Sequence, residues 1–153
     1  MATQKKTSAK KPAAKKADPV VHFEMPADDR KRMAKFYTSA FGWQTQMLGE
    51  EMGNYVLATT TTDVDKTGKP KKAGMINGGF FPKSADKPAQ YPSVVIAVDS
   101  IKKSMNKITK AGGQVIGEPS EIPGFGMYVS FFDTEGNRAS IIEPTMQMKE
   151  KAK

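Results

Sequence analysis

The segment VVHFEMPA, residues 20–27, alternates with a period of two, which puts Val21, Phe23 and Met25 on one face of a strand and His22, Glu24 and Pro26 on the other. The period then lengthens. In DDRKRMAKFYTSAFG the apolar residues Met33, Phe36, Tyr37, Ala40 and Phe41 recur at helical spacing, with acidic residues ahead and Gly42 behind, which predicts a helix packing one face on a sheet. QTQMLGE, GNYVLATTTT and AGMINGGFF follow as three short strands, parted by glycines and by the polar run DVDKTGKPKK. The first half reads βαβββ.

The second half repeats that order. PSVVIAVDS reads as a strand, SIKKSMNKITKAGG as a helix with Ile101, Met105 and Ile108 on one side, and QVIGEP, GMYVSFF and RASIIEP as three more strands. A shift of 71 residues lays Asp28 on Asp99, Ala40 on Ala111 and Gly42 on Gly113, and a shift of 73 lays Tyr55-Val56 on Tyr128-Val129. DTEGN has the Asp and Gly of a tight hairpin between the last two strands. Neither half can close a core alone. The expected fold is therefore α+β: two βαβββ modules, about 20–83 and 91–145, forming one curved, cup-shaped mixed sheet with helices outside. Cups of this kind hold ligands, and the loop EIPGFG is the expected lid.

Charge changes the picture at the ends only. Of the formal net charge of +8, residues 1–19 supply +5 and residues 146–153 supply +2, leaving +1 for 20–145. Both ends are read as basic tails, and the first, without a large apolar side chain between Met1 and Val20, as disordered. Its six lysines serve either as a solubilising tail or as a weak, salt-dependent contact to nucleic acid or another acidic partner. With no cysteine, thiolate catalysis, zinc-thiolate sites and disulfides are excluded. No apolar run approaches the ~18 residues that span a bilayer, and the N-terminus lacks the apolar core of a secretory signal, so a cytoplasmic protein without membrane contact is expected.

HFEMPADDRKRMAKFYTSAFGW, VVIAVDSI and FFDTEGNRASIIEP together resemble the vicinal oxygen chelate superfamily of glyoxalase I, bleomycin resistance proteins and extradiol dioxygenases. The resemblance covers about residues 20–145. In its metal-dependent members it implies four ligands lining the cup, one from the first and last strand of each module, holding a divalent ion that polarises substrate oxygens. His22 matches the first of these positions. The other three fall on Ser93, Ser140 and Gly78, or on Asn77 if the register slips by one, none of them a transition-metal donor. The resemblance also implies a homodimer.

Three readings of His22 stay open: a hydrogen-bonded inward residue, a partner of Glu24 in proton transfer or recognition, and a remnant of a rebuilt metal site. His22 and Glu24 are the catalytic candidates. Tyr55, Gly78, Ser93, Met127 and Ser140 are the ligand-binding candidates. Trp43 is expected to pack beside Phe41, and only one of Phe80 and Phe81 can face the cup. The function expected is a glyoxalase-like domain binding a small molecule in the cup, with no cofactor. The alternatives are a lactoylglutathione-lyase-type isomerisation on a rebuilt metal site and partner binding through the basic tail.

Overall fold

The computed structural model describes residues 16–66, 69–87 and 90–145, so most of both lysine-rich ends lies outside the described residues. In chain order the elements are β1 (Val20–Ala27), α1 (Arg30–Phe41), β2 (Gln44–Met47), β3 (Val56–Thr59), β4 (Asn77–Pro82), β5 (Ser93–Ala97), α2 (Ile101–Lys110), β6 (Gln114–Ile122), β7 (Gly126–Phe132) and β8 (Arg138–Pro144). They form one open eight-stranded sheet in the order β2-β3-β4-β1-β5-β8-β7-β6. Each module pairs its first strand in parallel with its last, β1 with β4 and β5 with β8, and the modules join through the antiparallel β1–β5 pair.

That seam keeps the two inner faces in phase. Phe23 pairs with Val94 and Ile96 with Ile141, so these apolar positions of both modules lie on one side of the sheet, under both helices, while buried Val95 pairs with His22 and Ser140 on the other. Ala27, Val56, Ala58 and Phe80 form one buried cluster with Ala34 of α1, and Val98, Val129 and Ile141 another with Ile101 of α2. The other face, which carries His22 and Glu24, has no helix over it among the described residues.

Helix α1 starts where Asp29 accepts a hydrogen bond from the Arg32 amide at 2.9 Å and stops at Gly42, whose φ of 69° is left-handed. Its buried side differs from the expected one. Met33, Ala34 and Tyr37 meet the sheet, whereas Phe36 and Phe41 are 57% and 62% exposed. Small Ala34 sits at the centre of the contact, and the two phenylalanines pack edge-on against each other beside it, their centroids 6.1 Å apart.

Strand β6 continues past QVIGEP to Ile122, and Ile122 pairs with Gly126. The expected lid is thereby a tight turn of a β-hairpin, closed by the Phe125 amide on the Ile122 carbonyl at 2.9 Å. The DTEGN turn forms as expected. The Asp133 carboxylate accepts from the Glu135 and Asn137 amides at 2.9 Å and from Asn137 Nδ2 at 3.0 Å, and these bonds, that from the Asn137 side chain foremost, hold its pKa below the usual carboxylate value.

Candidate functional site

The helix-free face collects polar side chains from both sides of the seam. His22 and Glu24 stand two apart on β1, and Tyr55 reaches them from just before β3. His22 Nε2 and the Tyr55 hydroxyl are 2.9 Å apart. On the far side of the seam Tyr128, from β7, donates its hydroxyl hydrogen to Glu24 Oε2 at 2.9 Å. Each module thus contributes a tyrosine to one residue of the same strand.

Proton counting gives the second network a direction. Because the single Tyr128 hydrogen goes to Glu24, the Ser140 hydroxyl donates to the Tyr128 oxygen at 2.7 Å. Ser140 then accepts from Ser130 at 3.1 Å, and Ser130 accepts from Arg138 Nη2 at 3.0 Å. The chain runs from the guanidinium through two hydroxyls and a phenol to the carboxylate, each bond polarising the next. Ser130 and Ser140 are 7% and 1% exposed.

Burial sets the charge state. It lowers the His22 pKa to about 4, so the imidazole is neutral at pH 7. It raises the Glu24 carboxyl, against the pull of the Tyr128 hydrogen bond and of Arg138. The Tyr128 phenol is pushed up to about 12 and that of Tyr55 is raised further, by burial first and then by the Glu24 charge, so both stay protonated. The chemistry available is therefore a neutral imidazole, a carboxyl of raised basicity, and hydroxyl donors held in fixed directions.

Gly79 explains how Tyr55 gets there. It pairs with Glu24 and so faces the polar side, and a Cβ on it would collide with Cε1, Cζ and the hydroxyl of Tyr55. The ring lies where a side chain would be. In module 2 the pairing of Val95 with Ser140 puts Ser140 at the matching place, with a side chain that Tyr128 uses instead.

Two of the sequence candidates are corrected. Gly78 pairs with Phe23 and faces the helix side, where a Cβ would strike the Phe23 ring, so the position it was to fill on the polar face belongs to Gly79. Met127 alternates with Tyr128 along β7 and packs under α2 against the Val98–Ile141 cluster, away from the polar face. Ser93 sits opposite Glu24 across the seam, and Ser140 and Tyr55 join the networks above. Phe81 falls on the polar face and Phe80 in the core. Tyr128, Ser130 and Arg138 were not among the sequence candidates, although Tyr128 repeats Tyr55, Ser130 lies two residues from Tyr128 and Arg138 two from Ser140 on the same strand faces. Trp43 stacks on Tyr37 at 4.6 Å and, with Phe23, Met25 and Val94, lines a cavity of about 360 Å³ between α1 and the seam.

The chain matches the sequence model described as "Glyoxalase/Bleomycin resistance protein/Dioxygenase superfamily" over residues 20–141. It belongs to this superfamily. A glyoxylase-like domain-containing protein of Didymella fabae is 32% identical over 124 residues, 77% of this chain and 88% of the relative. Among solved structures, a methylmalonyl-CoA epimerase of Mycobacterium tuberculosis superimposes with a TM-score of 0.60 at 11% identity, over 86% of this chain and 91% of that one. A Streptomyces coelicolor methylmalonyl-CoA epimerase in complex with 2-nitronate-propionyl-CoA also gives 0.60, at 12% identity over 84% and 95%. These two likenesses are of fold.

The metal-dependent members of the superfamily hold a divalent metal, which the residues here do not fit. Among the described residues no three of His, Cys, Asp and Glu cluster as a metal site would need. The polar face offers one imidazole and one carboxylate, where catalytic zinc takes three protein ligands, and both are already hydrogen-bonded to tyrosines. No buried side-chain nitrogen or oxygen among the described residues lacks a hydrogen-bond partner.

Proposed function

We propose that this superfamily member binds a small, oxygen-bearing organic molecule on the polar face of its sheet, without the four-ligand metal site of its metal-dependent relatives. What carries the reading is the convergence of His22, Glu24, Tyr55 and Tyr128 from both modules on one helix-free patch. Tyrosine hydroxyls and a neutral imidazole recognise carbonyl and hydroxyl oxygens. Glu24, with its raised basicity, is the group able to take a proton next to a carbonyl, and His22 the group able to orient or relay it. A homodimer belongs to the same reading, and sedimentation of the full chain checks it.

The rival reading is metal-dependent isomerisation of the lactoylglutathione-lyase kind. The two are separated by assaying the untagged protein with the hemithioacetal of methylglyoxal and glutathione, alone and with added nickel or zinc, alongside metal analysis of the protein as purified. No metal-stimulated turnover and substoichiometric metal are expected. Turnover that appears with nickel or zinc and vanishes in His22→Ala would establish the rival.

A further inference from the structure

The loop between β2 and β3, residues 48–55, delivers Tyr55 to the polar face from outside the sheet. The β2–β3 ladder ends at the Met47–Val56 pair, so Tyr55 lies beyond the strand pairing, whereas Tyr128 sits inside β7 and pairs with Ser120 and Ile142. A compact turn and one side chain hold Tyr55 instead. Glu50–Met52 form a turn of 3-10 helix, and Gly53 and Asn54 follow at φ 63° and 54°. Asn54 is the only non-glycine residue of positive φ among the described residues, and the two left-handed residues together reverse the chain just ahead of Tyr55. Arg30 Nη1 then donates to the Leu48 carbonyl at 2.9 Å and to the Asn54 carbonyl at 3.0 Å, clasping both ends of the loop. The Asn54 carbonyl belongs to the planar peptide group that joins Asn54 to Tyr55, so holding it fixes the direction in which the tyrosine leaves the chain.

Arg30 is in an electrostatically poor place. It is the first residue of α1, where the helix dipole disfavours a cation, and among the described residues it takes part in no salt bridge, although Arg32 nearby pairs with Asp29. Its charge is spent on two carbonyls. At the shift of 71 the matching residue of module 2 is Ile101, 7% exposed, and there the strand partners of Tyr128 do the holding.

We propose that Arg30 is a positioning residue of the polar face, its two hydrogen bonds aiming Tyr55 at His22 and so fixing two of the four groups offered to a ligand. The purpose of that aim rests on the small-molecule reading above, but the aim itself is measurable with no ligand present. The Tyr55 ring lies over the imidazole with centroids 6.3 Å apart and planes 24° from parallel, and its hydroxyl is 2.9 Å from Nε2. A tyrosine released from the loop clasp uncovers His22, whose proton affinity is set by burial.

The test is a magnetic-resonance titration of the His22 imidazole in the untagged full-length chain, in Arg30→Gln, in Tyr55→Ala and in the double variant, with the melting temperature of each. The midpoint of about 4 is expected to rise by about one unit or more in both single variants, and in the double variant to go no higher than in Tyr55→Ala. Asp29→Ala, which removes the cap at the same helix end, is expected to lower the melting temperature and leave the midpoint in place. Should Arg30→Gln fail to fold, Arg30→Lys carries the test, because it keeps the charge and loses the planar fork, so that a raised midpoint reports lost aim alone. The proposal is overturned if the Arg30 variant keeps the wild-type midpoint, if its effect adds to that of Tyr55→Ala, or if Asp29→Ala moves the midpoint as far. An unmoved midpoint would refute the positioning role and leave ligand binding standing, and a polar face that binds no ligand would leave the positioning role standing.

Discussion

The two modules give a tyrosine the same place and different company. In module 1 the Tyr55 ring lies over the bare backbone of Gly79 and its hydroxyl meets His22; in module 2 the Tyr128 hydroxyl is held by Ser140 and closes on Glu24. Both partners, His22 and Glu24, belong to β1, so the module 1 strand is read by a tyrosine from each half. A duplicated fold keeps the backbone positions and lets each copy satisfy its own buried polar groups, by removing a side chain in one and by adding a hydroxyl in the other.

The most damaging way to break this comparison is to give module 1 the residue of module 2. Gly79→Ser puts a Cβ where the Tyr55 ring lies, and the ring has to leave. We expect a loss of about 2 to 3 kcal/mol of stability in chemical denaturation, of the order seen for overpacked cores. The reciprocal Ser140→Gly opens space rather than closing it, removing a buried hydroxyl with its Cβ and loosening the strand backbone, and is expected to cost about 1 to 2 kcal/mol. Equal costs would mean that Tyr55 is not packed on Gly79.

Acid sharpens the same contrast. The His22 pKa is about 4 folded and 6.5 unfolded, so the unfolded chain takes up the proton first as pH falls. Stability contributed by the neutral ring is complete above about pH 6.5 and is lost between 6.5 and 4, by roughly 2 kcal/mol after allowance for partial exposure. Glu24 acts in the opposite sense. Its folded pKa is raised, so its ionisation weakens the fold as pH rises above the unfolded carboxyl value of 4.5. His22→Gln should flatten the acid limb of a stability-against-pH curve, and Glu24→Gln should steepen it. Unchanged slopes in both variants would remove the electrostatic basis of the patch.

The smallest effects separate the tyrosines. Tyr128→Phe leaves Glu24 buried without its donor, at about 1 to 2 kcal/mol, and raises the Glu24 pKa. Tyr55→Phe leaves a neutral imidazole short of one partner, at about 0.5 to 1 kcal/mol. A reversed order in thermal melts would assign the larger load to module 1.

The elements were readable because burial writes a period into the chain. VVHFEMPA alone separates Phe23 and Met25 from His22 and Glu24, and the repeated Tyr-Val at 55 and 128 marks the paired tyrosines. What sequence could not resolve was register. Two adjacent glycines carry no period, so nothing distinguishes Gly78 from Gly79 until the strand pairs are known. Met127 borders the turn EIPGFG in the sequence, and only its alternation with Tyr128 along a paired strand puts it on the helix side. EIPGFG looks mobile by composition, but its ends pair as strands. The α1 surface was misjudged at Phe36 and Phe41 because hydrophobicity names large residues, while close packing chose Ala34.

His22 is the only histidine in the chain, so its ring resonances can be followed without assignment in the untagged protein. A magnetic-resonance titration of that imidazole, repeated with zinc present, addresses a buried, tyrosine-bonded, metal-free polar face directly. A midpoint of about 4, unmoved by zinc, is the expected result. A midpoint near 6.5, or resonances displaced by stoichiometric zinc, would contradict it.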